Sequence, residues 1–97
     1  EYIQQNLSNK ITMADLTNLT GYSERSLQLV FKKAFNQSPF EYIEEQRLVK
    51  AKALIEAHKH SKKIAEIAQD VGLLHLGRFS VSFKKRFGVS PSLLAKT

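Results

Sequence analysis

Four residues at helical spacing carry side chains suited to the edges of DNA bases and to phosphates. Arg25, Gln28, Leu29 and Lys32 stand at positions i, i+3, i+4 and i+7, which places them on one face of a helix. Arginine donates two hydrogen bonds to O6 and N7 of guanine, and glutamine pairs with N6 and N7 of adenine. The alternatives for Arg25 are a solvated surface arginine or a contact with phosphate alone. The alternative for Gln28 is an exposed side chain without a ligand. The spacing favours base reading, so Arg25, Ser26, Gln28 and Leu29 are named the first recognition set.

A second recognition set lies 52 residues further along. Its members are Gly77, Arg78, Ser80 and Val81, at the positions of Arg25, Ser26, Gln28 and Leu29. Arg78 is its best candidate for a contact with a base or a phosphate. Gly77 indicates either a close approach of the backbone to DNA or the relief of crowding in a tight turn. Leu29 and Val81, apolar at equivalent outward positions, favour contacts with thymine methyl groups. Packing against a neighbouring helix is the alternative for both.

Candidate phosphate-binding residues flank both sets. This phosphate set consists of Ser23, Lys32, Lys33, His75, Lys84 and Lys85. Lysine pairs bind phosphates without reading sequence, so they set register and affinity. A solvated charged face is the alternative, but the pair recurs in both halves of the chain. His75 is equally a candidate for a structural hydrogen bond or a helix cap. Lys62 and Lys63, at another predicted helix start, extend the basic residues.

An internal repeat relates the two halves of the chain. Three matches lie 52 residues apart: the pentamers FKKAF (31–35) and FKKRF (83–87), Leu27 and Phe79, and the pairs Ser38-Pro39 and Ser90-Pro91. Gly21 corresponds to Gly72 with an offset one residue shorter, so the second turn is predicted to be one residue longer. Because two copies are too few for a solenoid, the repeat predicts two tandem helix-turn-helix lobes.

Each lobe has the pattern of a helix, a glycine-containing turn and a second, recognition helix. Thr12 and Asp15 predict a capping box at the first helix, and Ser23 predicts the cap of the first recognition helix. In the second lobe a helix begins at Ile64 and is stopped by Gly72. The predicted inward positions of the four helices are Met13, Leu16 and Leu19; Leu27, Val30, Phe31, Ala34 and Phe35; Ile64, Ile67, Ala68 and Val71; and Leu76, Phe79, Phe83 and Phe87.

A longer helix over residues 38–58 is predicted to separate the lobes. Ser38 and Glu41 form a capping box around Pro39, and no Gly or Pro interrupts the run that follows. About twenty residues make a rod of roughly 30 Å, close to the length of one turn of B-DNA. The organisation is a first lobe (1–37), a linker helix (38–58) and a second lobe (59–97). With short terminal helices, the fold class is all-α with about seven helices, and both recognition helices are expected to face one side of a duplex.

Composition limits the function classes. A net charge of +6 favours polyanionic partners, with nucleic acid ahead of an anionic membrane. The absence of cysteine excludes disulfides and suits a reducing cytoplasm. No apolar run is long enough for a bilayer and no signal peptide is visible. The sequence starts abruptly in a helical pattern, which suggests a piece of a longer protein.

Catalytic and metal sites are not predicted. No nucleophile stands beside a plausible base, and no glycine-rich phosphate loop is present. His58 and His60, spaced by one residue, do not share a helix face, and no cysteine or nearby carboxylate pair completes a metal site. The sequence therefore predicts neither an enzyme nor a cofactor.

The sequence resembles a known family in two stretches. Residues 64–72 (IAEIAQDVG), followed by Phe79, residues 83–85, residues 87–88 and Ser90-Pro91, closely resemble the signature of the AraC/XylS transcription regulators. Ser38-Pro39 with Tyr42-Ile43, then Arg47-Leu48 and Ala51, resemble the linker helix of that family. The match covers nearly the whole chain. It implies a seven-helix DNA-binding domain of a bacterial activator, with two recognition helices in successive major-groove segments on one face of the DNA.

The resemblance also implies partners and a subgroup. Residues 75–79 (HLGRF) resemble the XylS-like subgroup, which includes activators of aromatic-compound catabolism. The family commonly has Arg in the middle of each recognition helix, where this chain has Leu29 and Val81, so the bases read stay open. RNA polymerase is an expected second partner. Effector binding and dimerisation are expected in a separate N-terminal domain that this sequence lacks, and no membrane partner is expected of a cytoplasmic regulator.

Two other functions compete with DNA reading. In one, the basic helices form a protein-interaction module for an acidic partner such as a subunit of RNA polymerase. Two tandem outward recognition faces argue against that as the sole role. In the other, the chain binds a membrane surface, but it lacks the strongly apolar exposed face which such binding requires.

Overall fold

Residues 2–59 and 61–97 are described by the structure, a computed structural model, and every regular element in these ranges is a helix. The helices are α1 Tyr2–Gln5, α2 Met13–Thr20, α3 Glu24–Phe35, α4 Pro39–Ala57, α5 Ile64–Asp70, α6 Leu76–Phe87 and α7 Pro91–Lys96. This confirms the predicted all-α fold with two helix-turn-helix motifs, α2–α3 and α5–α6. Among these helices, none combines the length and the apolar composition that crossing a bilayer requires.

The chain forms two compact units whose boundary falls inside α4. Unit 1 is Glu1–Gln46 and unit 2 is Arg47–Thr97. Ile43 of α4 belongs to the core of unit 1, whereas Leu48, Ala51 and Ile55 belong to the core of unit 2. One uninterrupted helix therefore supplies apolar residues to two separate cores.

The caps of unit 1 are the local interactions that the sequence predicts. The backbone N–H of Asp15 donates to Thr12 Oγ1 at 3.1 Å, and the N–H of Thr12 donates to Asp15 Oδ2 at 2.9 Å. The ionised Asp15 carboxylate accepts hydrogen bonds from the backbone N–H and the hydroxyl of Thr12, and these hold its pKa below the ordinary value. Gly21 then ends α2 with φ +77°, the left-handed conformation that glycine adopts without strain.

The start of α4 repeats this arrangement. The Glu41 N–H donates to Ser38 Oγ at 3.2 Å, and the Ser38 N–H donates to Glu41 Oε1 at 2.8 Å. The pKa of Glu41 is lowered because its carboxylate accepts hydrogen bonds from the backbone N–H and the hydroxyl of Ser38. Pro39 occupies the first helical position, where no backbone N–H is needed. The predicted capping box is therefore confirmed.

Unit 1 encloses a core of six buried apolar residues: Ile3, Leu7, Ile11, Leu16, Leu27 and Ile43. The periodicity predicts too many inward positions on α3. The predictions for Val30, Ala34 and Phe35 are wrong, because these residues are exposed. Leu19 of α2 is also exposed rather than inward. A buried stripe on a helix spans little more than 100°. In α3 that width is taken by Leu27 and the half-buried Phe31.

Unit 2 encloses a larger core: Leu48, Ala51, Ile55, Ile67, Ala68, Val71, Phe79 and Phe83. The predicted face of α5 is confirmed, since Ile67, Ala68 and Val71 are buried and Ile64 packs against them. The prediction for Leu76 is wrong, because this residue is 45% exposed. Leu76 is the first residue of α6, so its side chain lies at the end of the stripe that Phe79 and Phe83 continue.

The repeat is reproduced in the backbone. α3 and α6 each contain 12 residues and have equivalent ends at the 52-residue offset. Asn36 and Gly88, which are equivalent, both adopt the left-handed conformation after their helices, with φ values of +57° and +78°. The two recognition helices thus share one local design and differ in their side chains.

Candidate nucleic-acid interface

The first recognition set lies on α3, and most of it is open to solvent. Arg25, Gln28 and Leu29 are exposed, as is Lys32 one turn further on. Ser26 is half-buried, and its Oγ accepts a hydrogen bond from the Ser23 hydroxyl at 3.0 Å. The structure therefore places the predicted outward face of this helix where a ligand has access to it.

Ser23 fixes where this face begins. Its Oγ accepts a hydrogen bond from the Ser26 N–H at 3.1 Å, so it is the predicted N-cap of α3. Arg25 then falls in the first turn of the helix, the part that a recognition helix directs towards base edges. Because the Ser23 hydroxyl is used for capping, this residue has a structural role whether or not it also binds a phosphate.

The exposure of Leu29 and Val81 decides whether these residues pack against a neighbouring helix. They are 62% and 70% exposed, so neither packs against a neighbouring helix in the described structure. The packing alternative is therefore wrong. What the two equivalent positions share is a small apolar surface turned towards solvent, in the middle of an otherwise polar face.

The second recognition set lies on α6. Gly77, Arg78 and Val81 are exposed, and Ser80 is half-buried. A Cβ added at Gly77 would meet no heavy atom within 4 Å, and its φ is not among the positive values. The alternative that Gly77 relieves crowding in a turn is therefore wrong, because the fold leaves ample room for a side chain.

The N-terminus of α6 is built differently from that of α3. His75 occupies the N-cap position, but its side chain makes no capping hydrogen bond. The capping role considered for His75 is therefore wrong, and its side chain is exposed. The first N–H groups of α6 accordingly lack the side-chain acceptor that Ser23 provides in α3.

The four lysines of the phosphate set are exposed near the carboxyl ends of α3 and α6. They are Lys32, Lys33, Lys84 and Lys85. Within residues 2–59 and 61–97 none of them has a carboxylate at ion-pair distance. Their charges also suit the negative end of the helix dipole. Each recognition helix therefore carries two ammonium groups available to an anion.

A basic pocket in unit 2 was largely missed by sequence reasoning. It is an open pocket of about 490 Å³, and its basic walls are Lys59, Lys62, Lys63 and Lys96. The first three lie close together in the sequence, which is a signal that was available. Lys96 is brought to them only by the folding of α7, and no local pattern reports that.

Metal binding has no support in the described residues. His60 lies outside them, so the predicted absence of a His58–His60 site is not tested by their geometry. Elsewhere in the described ranges, no three His, Cys, Asp or Glu residues are grouped in a way that would bind a metal. His58 Nδ1 lies 3.5 Å from Ser61 Oγ.

Charge is divided unevenly between the two units. The sequence of unit 1 contains four basic and six acidic residues, a net charge of −2. That of unit 2 contains eleven basic and three acidic residues, a net charge of +8. The basic character of the chain therefore belongs to unit 2 alone.

The geometry is that of a helix-turn-helix protein, and comparison with known proteins agrees. A family model described as a helix-turn-helix domain matches residues 16–97. The chain therefore belongs to the helix-turn-helix domain family. A solved structure of a probable AraC family transcriptional regulator from Rhodopseudomonas palustris is 29% identical with a TM-score of 0.88, covering 98% of this chain and 88% of that chain. Within the helix-turn-helix family the chain is thus one of the AraC/XylS transcription regulators.

Two curated relatives extend the comparison. The chain is 38% identical over 93 residues to the probable thc operon regulatory protein of Rhodococcus erythropolis, covering 95% of this chain and 28% of that protein. It is 36% identical over 93 residues to the XylDLEGF operon transcriptional activator of Pseudomonas putida, covering 95% of this chain and 29% of that protein. The chain thus spans less than a third of the length of these relatives.

Proposed function

We propose that the chain is the sequence-specific, double-stranded-DNA-binding domain of a bacterial transcription activator. In this proposal α3 and α6 read two successive major-groove segments. The observation that carries it is the pair of exposed recognition sets on two helices with equivalent ends. In a helix-turn-helix protein this helix lies in the major groove.

On α3 the proposed roles follow from side-chain chemistry. Arg25 binds O6 and N7 of a guanine, and Gln28 binds N6 and N7 of an adenine. Leu29 contacts a thymine methyl group, because its exposed surface is apolar. Ser26 supports these contacts with a hydroxyl that already accepts a hydrogen bond from Ser23.

On α6 the contacts are fewer and smaller. Arg78 is the residue with the reach and charge for a guanine or a phosphate. Val81 repeats the thymine contact proposed for Leu29, and Ser80 is a hydroxyl donor or acceptor. Gly77 allows the backbone of the first turn to approach the DNA closely, since no internal packing requires a glycine there.

Phosphate contacts set affinity and register. We assign them to Lys32 and Lys33 on α3 and to Lys84 and Lys85 on α6, whose ammonium groups are exposed. Ser23 and His75, at the starts of the two helices, complete the phosphate set. These contacts weaken with added salt because bound phosphates release counterions.

The activity of the whole protein is proposed on the similarity to longer relatives. One of them is named a transcriptional activator, which supports activation over repression. RNA polymerase is then a second partner of this domain, and an N-terminal domain supplies effector binding and dimerisation. The likeness of residues 75–79 to the XylS-like subgroup supports that subgroup as the proposed assignment. The whole protein is proposed to be a cytoplasmic regulator.

Arg25→Ala tests the proposal once the preferred site has been selected from a pool of random duplexes. We expect it to weaken binding to that site by about 1–3 kcal/mol and to leave binding to random DNA nearly unchanged. Lys10→Ala, exposed and outside both recognition helices, is the matched control. Equal weakening on both DNAs would make Arg25 a phosphate contact, and a pool without an enriched motif would contradict sequence-specific binding.

A further inference from the structure

Unit 2 contains a concave basic surface apart from its recognition set. Lys59, Lys62, Lys63 and Lys96 line the basic pocket, together with the hydroxyl-bearing Ser92. Lys59, Lys62 and Lys63 precede α5, and Ser92 and Lys96 belong to α7. None of these five residues belongs to the second recognition set or to the phosphate set, so the proposed function leaves the pocket without a role.

We propose that this pocket binds a phosphate of the DNA backbone beside the segment read by α6. The inference rests on the proposed function and adds a binding site to it. A phosphodiester offers only hydrogen-bond acceptors, and the ammonium and hydroxyl groups of the pocket are donors.

The charges of the pocket are mostly uncompensated. Lys62 Nζ lies 2.9 Å from Asp70 Oδ2, and this ion pair raises the pKa of Lys62. Across the part of the chain that the structure describes, no carboxylate pairs with Lys59, Lys63 or Lys96. Three like charges around one open pocket repel one another, and an anion bound among them is attracted by all three and so offsets that repulsion.

The place of the pocket in the motif favours the DNA backbone. α5 begins at Ile64, directly after Lys63. In a helix-turn-helix motif the first helix crosses the sugar–phosphate backbone while the second enters the groove. Lysines at the beginning of α5 are therefore close to where a phosphate is expected when α6 occupies the groove.

The repeat shows that two lysines of the pocket have no basic counterpart in unit 1. Lys63 corresponds to Thr12 at the 51-residue offset of the first helices, and Lys96 corresponds to Glu44 at the 52-residue offset. Unit 1 therefore has a helix cap and a carboxylate where unit 2 has two ammonium groups. This substitution accompanies the net charges of −2 and +8.

The test uses the whole chain with Lys63→Gln and Lys96→Gln combined, because glutamine keeps much of the length and removes the charge. Affinity for a random-sequence duplex is measured at several salt concentrations. The slope of log K against log salt should become shallower by about 0.9 for each phosphate that the variant no longer binds. The sequence motif selected by the variant should stay that of the unsubstituted chain.

The matched control combines Lys10→Gln with Lys50→Gln, which removes the same charge at exposed positions outside the pocket. Its slope should change much less. An unchanged slope in the pocket variant, or an equal change in the control, would overturn the proposal. Binding of a poly-glutamate peptide by the unsubstituted chain and not by the variant, with an unchanged slope, would assign the pocket to an acidic protein instead.

Failure of the pocket and failure of the proposed function give different results. If the unsubstituted chain selects a motif and the pocket variant keeps the slope, only the pocket assignment is wrong. If the unsubstituted chain selects no motif, the proposed function is wrong whatever the slope. Circular dichroism melts of both double variants should match that of the unsubstituted chain, since the substituted side chains lie outside both cores.

Discussion

α3 and α6 have the same length and equivalent ends but differ in the side chains of their first turns. Both have 12 residues, an equivalent buried anchor (Leu27 or Phe79) and a left-handed residue at the end. Yet α3 begins with a serine cap and has Arg25 in its first turn. In contrast, α6 begins without a side-chain cap and has Gly77 at the position equivalent to Arg25. A shared backbone therefore leaves the first turn free to vary, and the first turn is where base discrimination is expected.

The units around these helices differ in the same sense. Unit 1 has a net charge of −2, and unit 2 has a net charge of +8 with the basic pocket. We infer that unit 1 contributes mainly base selection and unit 2 mainly attraction to the backbone. The predictions below test this division and the structural differences beneath it.

The largest expected effect is a difference in stability between equivalent substitutions in the two cores. Phe83 is fully buried, whereas its repeat equivalent Phe31 is only half-buried at the edge of its core. Phe83→Ala should lower the free energy of unfolding by about 3–5 kcal/mol, and Phe31→Ala by about 1–2 kcal/mol. Amide hydrogen exchange reports each unit separately. A larger loss for Phe31→Ala would contradict the unequal depth of the two cores.

The next effect concerns Gly77. Gly77→Ala should raise the stability of unit 2 by up to about 1 kcal/mol, because alanine is the better helix former and a Cβ meets no neighbour. It should at the same time weaken binding to the preferred site, since the added methyl group lies on the face assigned to DNA. Thermal melts and a binding titration measure the two quantities on one variant. Increased stability with unchanged affinity would remove Gly77 from the interface.

A smaller effect compares equivalent lysines. Lys32→Ala and Lys84→Ala should each lower the salt slope of binding by about one and weaken preferred and random duplexes alike. If unit 1 contributes mainly base selection, the loss of affinity should be greater for Lys84→Ala than for Lys32→Ala. Titrations of each variant over a range of salt concentrations decide this. The reverse order would place the main backbone contacts on unit 1.

The smallest effect is the pH dependence of the two capping boxes of unit 1. The capping carboxylates Asp15 and Glu41 have lowered pKa values in the folded state, so their stabilisation is present above their ordinary pKa and is lost as the pH falls through the folded value. Their repeat equivalents in unit 2 are Glu66 and Leu93, and neither forms a capping box in the described structure. Hydrogen exchange between about pH 6 and 3 should therefore show unit 1 weakening first.

Asp15→Asn combined with Glu41→Gln is the control for that measurement. It should lower the stability of unit 1 near neutral pH and flatten its acid dependence. A dependence that survives both substitutions would have to come from other groups.

The parts of the fold that the sequence predicted are those set by local interactions. The capping boxes at Thr12 and Ser38, the cap at Ser23 and the turn at Gly21 each involve residues within three or four positions of one another. Such patterns are readable because the hydrogen-bonding partners are neighbours in the chain. The repeat then gave the two recognition helices equivalent ends.

The wrong predictions concern which residues of a helix are buried. Periodicity placed Val30, Phe35 and Leu76 inward, yet all three are exposed. Spacing shows which residues share a face, but the width of the buried stripe depends on partners from distant segments, such as Ile3 and Leu7, which share a core with Leu27. The room at Gly77 and the approach of Lys96 to Lys59, Lys62 and Lys63 also depend on packing between elements, so no local pattern predicts them.

Selection of bound sequences from a random duplex pool tests the central claim most directly. We expect two enriched half-sites whose centres lie about 10–10.5 base pairs apart, one for each recognition helix. Arg25→Ala should erase preference at a position within one half-site only. A pool that stays unenriched after repeated rounds, while the chain still binds the duplexes, would contradict sequence-specific reading by α3 and α6.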